Sequence, residues 1–162
     1  MQSKKLQVEA TKRQNQIEIS MSTELKLFIK SIAASFQFIF YQNKYDLQRR
    51  ADVLEIIERS EVAEFATKVE RTEVNSKIQL SREEVYLFYT LMEIVCRSFL
   101  TEIADDFKAM ALRHNKITEE RYLEVRNTEL KIAQALIQQI KKDFKGENDF
   151  EELLEKIDML DE

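Results

Sequence analysis

The sequence predicts an all-α protein: a compact bundle of four to six helices with two long central helices. Two observations lead there. The 162 residues include one Gly and no Pro, so the residues that supply positive φ or lock a bend in hairpins are nearly absent. Apolar residues also recur at helical spacing over long stretches, in a chain that is 44% hydrophobic and 34% charged, the balance of a soluble helical domain. The length suits one domain that buries roughly two-thirds of the surface its unfolded chain exposes.

Residues 1–20 are polar, with Leu6, Ala10 and Ile17 only weakly periodic. They read as an N-terminal segment, helical or frayed, ahead of a single helical domain over 21–162. From Leu25 the pattern is firm. Leu25, Phe28, Ile29, Ile32, Phe36, Ile39 and Phe40 form one helical stripe. A strand would explain the alternation of Phe36, Phe38 and Phe40 but not the residues before it. Beyond Asn43 two readings stand. The helix either continues through Leu47, Val53, Leu54 and Ile57 to about Glu58, or turns at a cap on Asp46. The apolar set then shifts to Val62, Phe65, Ala66 and Val69, which predicts a break near 59–61 with Ser60 as a cap.

In LSREEV, Ser81 and Glu84 have the spacing of a capping box, and Leu80 with Val85 has that of a hydrophobic staple. The helix they open extends to about Asn115. One face carries Val85, Phe88, Met92, Cys96, Phe99, Ile103, Phe107 and Met110; the opposite face carries Leu87, Leu91 and Ile94. Thr118 caps a further helix whose face holds Tyr122, Val125, Ile132, Ala133, Leu136, Ile137, Ile140 and Phe144. Gly146 ends it, and Asp149 with Glu152 resembles a capping box for a short last helix around Phe150, Leu153, Leu154 and Ile157.

Chemistry is conspicuous by what is missing. One Gly excludes phosphate-binding loops and dinucleotide fingerprints, and one His excludes HExxH zinc sites and paired Glu-x-x-His di-iron sites. His114, near a helix end, reads as structural. Asp105 and Asp106 lack the fifth-position Asp of a DDxxD magnesium motif, where Ala109 stands instead. Cys96, the sole cysteine, reads as a small buried residue. No catalytic residue, cofactor or metal ligand is expected, so the protein reads as a non-enzyme. No basic cluster with interleaved aromatics points to nucleic acid. The longest uncharged run, Ser31–Asn43, has 13 residues, short of the roughly 20 that span a bilayer. With no signal-like apolar run at the N-terminus, a cytoplasmic location is expected.

Two features point to partners. Acids recur at Asp52, Glu55, Glu58, Glu61, Glu64, Glu70 and Glu73, and residues 1–50 carry +5 against −4 and −6 in the blocks 51–100 and 101–162. Such a series is either a solvated face or one answered by a basic surface, on a partner or on the N-terminal segment. The second feature is apolar excess: Leu27, Ala34, Phe38 and Tyr41 lie opposite the main stripe of the first helix. Leu87, Leu91 and Ile94 are expected to be covered by the chain itself, and Leu27, Phe38 and Tyr41 by another molecule. The sequence thus predicts a protein–protein interaction module (a subunit, adaptor or inhibitor-type binder, or a homo-oligomer) with partner-binding residues Leu27, Phe38, Tyr41, Glu58, Glu61 and Glu64. The alternative is a sensor holding an apolar small molecule between Phe/Tyr-lined helices.

Overall fold

The computed structural model describes residues 9–11, 16–40, 57, 59–98, 108–109, 112–113 and 117–160. Helices dominate: α1 (Thr23–Phe40), α2 (Arg59–Arg71), α3 (Arg82–Ser98), α4 (Glu119–Asp143) and α5 (Asn148–Met159). They share one hydrophobic core, and the all-α class holds.

The exception is a small antiparallel sheet. Strands β1 (Glu9–Thr11), β2 (Gln16–Ser20) and β3 (Lys77–Ser81) lie in the order β1-β2-β3, with Ile17 opposite Leu80 and Ile19 opposite Ile78. The N-terminal segment, expected to be helical or frayed, is therefore extended at 9–11 and 16–20. QIEIS and KIQLS each alternate polar and apolar residues, and Ile19, Ile78 and Leu80 are buried on one side. The turn before β3 needs no glycine. Asn75 takes φ 72° there, a conformation that Asn tolerates better than most residues. Its N–H donates to Met21 O at 2.8 Å, and the Met21 N–H donates to Ser76 O at 2.8 Å.

Contacts between elements fix how the helices run. Lys26 Nζ donates to Thr72 O at 2.9 Å and Lys30 pairs with Glu70 at 3.0 Å, so α1 and α2 are antiparallel. Lys68 pairs with Glu84 at 2.8 Å while Phe65 packs on Phe88, which makes α2 and α3 antiparallel as well. It follows that α1 runs parallel to α3. The start of α3 meets the end of α4 through Tyr86 and Phe144, ring centroids 5.3 Å apart. Hence α4 is antiparallel to both α1 and α3.

Helix α3 is the axis. Val85, Phe88, Tyr89, Leu91, Met92, Ile94 and Val95 are all buried and spread over about 220° of the helix at 100° per residue, while Tyr86, Glu93 and Arg97 occupy the remaining arc and are only partly buried. The chain thus covers Leu91 and Ile94 itself, with Leu87 partly buried against the same core. The capping box forms in full: Glu84 N–H donates to Ser81 Oγ at 3.1 Å, and Ser81 N–H donates to Glu84 Oε1 at 2.9 Å. Burial opposes ionisation of Glu84, but Lys68 and Ser81 hold its carboxyl below the usual range. Helix α4 starts on Thr118, whose Oγ1 accepts from Arg121 N–H at 3.1 Å. Helix α2 begins at Arg59, at the edge of the expected break, with Val62, Phe65 and Val69 buried.

Helix α5 departs from expectation at its start. Its N-cap is Glu147, without a side-chain cap bond, and Asp149 lies inside the helix. The Asp149 carboxylate turns to α3 instead: Tyr86 OH donates to it at 2.7 Å and Arg82 Nη1 lies 3.3 Å away. The preceding turn holds Gly146 at φ +86°.

Replacing Ser81 by Ala removes one half of the capping box where the sheet hands over to the central helix. Urea unfolding should show a loss of about 1 kcal/mol, as for other helix caps; an unchanged midpoint would show that the cap does not hold the helix start.

Candidate interaction surface

Helix α1 is built with two faces. At 100° per residue, Leu25, Phe28, Ile29, Ile32 and Phe36 fall on one side, and all are at most 4% exposed. Leu27 and Ala34 fall on the other. Leu27 is 60% exposed and Ala34 is exposed. Phe38, one turn beyond Ala34, continues this outer row by spacing; its side chain, Tyr41 and Glu58 lie outside the described residues.

The flank of α1 toward α2 is closed by Lys26 and Lys30. Glu70, one of the acidic series, is held below its usual pKa by its hydrogen bond to Lys30. Part of the acidic series is therefore answered within the chain. Glu61 and Glu64 are exposed and make no ion pair among the described residues. Because α2 runs antiparallel to α1, they lie toward the second half of α1, away from the Lys26 end. Of the expected partner-binding residues, the structure thus places Leu27, Glu61 and Glu64 in water. It brings neither Glu61 nor Glu64 into contact with Leu27.

The flank of α1 toward α4 is polar. Ser31 Oγ donates to Glu129 Oε2 at 2.6 Å. Glu129 Oε2 lies 3.8 Å from Arg126 Nη1, and Arg126 Nη2 contacts Tyr122 OH at 3.4 Å, with its guanidinium 5.3 Å from that ring's centroid. Arg126 and Glu129 are each only 9% exposed, whereas Leu123 and Val125 are 46% and 39% exposed. Val125 was expected on the buried face; Arg126 takes that place. The true period runs Tyr122, Arg126, Glu129, Ala133, Leu136, Ile140, and Val125 lies about 60° from the centre of that stripe at 100° per residue. Reading only apolar letters hides such a stripe. One turn beyond Ser31, Ser35 Oγ is fully buried with no hydrogen-bond partner among the described residues.

Cys96 is half-buried beside this seam, and burial pushes its thiol up to about 11. It is a thiol, not a thiolate, at neutral pH. Among the described residues no three His, Cys, Asp or Glu gather where they could hold a metal ion, and no helix is long and apolar enough to cross a membrane. His114, Asp105 and Asp106 lie outside the described residues.

No protein-family model, curated protein or solved structure matches this chain. What the surface offers is its own chemistry: apolar side chains in water on α1, the Glu61 and Glu64 carboxylates of α2 with no ion pair among the described residues, and a polar seam that fixes α1 against α4.

Truncating Arg126 to Ala should destabilise the fold by roughly 3–5 kcal/mol, because it leaves Glu129 as a buried charge without that partner. Replacing Arg126 and Glu129 together by Leu should cost far less or be stabilising. Chemical denaturation of both variants checks this, and equal losses would show that the pair is not a unit.

Proposed function

We propose that the protein is a non-enzymatic interaction module. Its docking surface is the outer row of α1, running from Leu27 through Ala34 toward Phe38, with Glu61 and Glu64 of α2 beside its second half. The observation that carries the reading is Leu27 at 60% exposure, opposite a stripe that is almost completely buried. Covering a leucine of this kind gains roughly 1.5–3 kcal/mol, so an outer apolar row on a core helix is a ready source of binding energy.

The acids specify the partner's chemistry. Glu70 already has Lys30, while Glu61 and Glu64 have no such counterpart among the described residues. The fitting partner is a protein segment with an apolar strip and Lys or Arg along one rim. Its basic groups speed encounter and set orientation, and its apolar strip supplies most of the affinity.

Parallel capture with the wild-type chain, Leu27→Asp, and Glu61→Lys with Glu64→Lys tests this. A protein retained by the wild type should be lost from the Leu27→Asp bait and held at least tenfold more weakly by the charge-reversed one. Its retention by the wild type should also weaken with salt, while circular dichroism of all three baits stays the same. Identical retention by the three baits would overturn the reading.

A further inference from the structure

Helix α5 is fastened to α3 in an uneven way. At one end Asp149 meets Tyr86 at 2.7 Å and Arg82 at 3.3 Å, and Glu147 lies 3.6 Å from Arg82. At the other end Arg97 Nη2 pairs with Asp158 at 3.2 Å, and Arg97 Nη1 donates to Ile157 O at 3.3 Å. These acids are 50%, 50% and 74% exposed, so salt and water reach every clasp. Between the clasps, Phe150 and Ile157 are buried against α3, with Leu153 and Leu154 partly covered.

Three further features weaken this closure. Helix α5 lacks the side-chain N-cap that α3 and α4 possess. The connection from α4 passes through Gly146, the chain's only glycine, at φ +86° with open space around it. Beneath α5, the Tyr89 ring packs on Phe150 at 5.1 Å, yet its hydroxyl is buried with no hydrogen-bond partner among the described residues. A buried hydroxyl of this kind costs stability that access to water would return.

We propose that α5 is a displaceable strap, and that the face of α3 beneath it is a helix-docking groove which the α5 of a second copy of this chain can fill. The occupant's chemistry is written in the groove. Arg82 and Tyr86 take an acid at the second helical position, Tyr86 and Tyr89 take an aromatic ring at the third, and Arg97 takes an acid nine residues after the first. A second copy's α5 meets all of these by identity. Reciprocal exchange about the Lys145–Glu147 connection closes a twofold dimer with no new interface chemistry.

The probe is a fluorescent synthetic peptide of residues 147–160 added to the full chain, with uptake followed by anisotropy and amide exchange followed by mass spectrometry. In the free chain, α5 amides should exchange at least tenfold faster than those of α3. A chain carrying Asp149→Asn and Asp158→Asn keeps its groove but loosens its own α5, so it should bind the wild-type peptide at least tenfold more tightly. On uptake, the chain's own α5 should lose protection while α3 keeps it. The proposal is overturned if the wild-type chain's α5 exchanges only together with α3. It is equally overturned if the folded chain takes up no peptide, or takes it up with its own α5 still protected.

Discussion

A helix that is apolar around more than half of its circumference must be covered from several directions, and α3 imposes that demand on the whole chain. Phe88, Tyr89, Leu91, Met92 and Val95 are each at most 1% exposed within five turns of one helix. Removing so much apolar surface from water is the largest favourable contribution such a fold can make. The other elements are placed by it: α1 and α2 cover one side together with the sheet, and α4 and α5 cover the other. The capping box sets where α3 begins, directly at the end of β3, so the sheet and the central helix share one fixed junction.

Covering one helix with a chain of this length uses most of its apolar helical surface. Helix α1 meets the demand with one face and leaves the other in water. Helix α4 meets it unevenly. From Ala133 to Ile140 it buries aliphatic side chains, while one turn and more earlier it buries Arg126 and Glu129. A buried ion pair is by itself weak evidence for stability, because desolvation offsets its attraction. Here the Ser31–Glu129 hydrogen bond ties α4 to α1 in a single register. The outer row of α1 thereby sits on a helix whose opposite flanks are tied to α2 and α4.

How much of this was legible depended on the signal each element sends. The stripe from Leu25 to Phe36, the double-sided burial around Leu91 and Ile94, and the Ser81–Glu84 box all follow from spacing in one helix, a local property. The strands were missed because each spans five residues or fewer and because Asn75, not Gly, makes the turn. The buried Arg126 was missed because charge was taken as exposure, although the period of the stripe runs through it. Asp149 was read as a local cap, whereas its partners Tyr86 and Arg82 lie more than sixty residues away, a distance that no local pattern encodes. In the candidate site, Leu27 stood out by its place on the helix, while Ser31, Ser35 and Glu129 carry no pattern until two helices are brought together.

The division of labour between an enclosed α3 and an open α1 face is tested most directly by truncating one leucine in each. Leu91 and Leu27 are the same residue on neighbouring helices, 0% and 60% exposed. Urea unfolding of dilute protein should show Leu91→Ala losing roughly 2–5 kcal/mol, as core truncations do, and Leu27→Ala losing no more than about 0.5 kcal/mol. Comparable losses at the two positions would contradict the account, because α1 would then have no face left open.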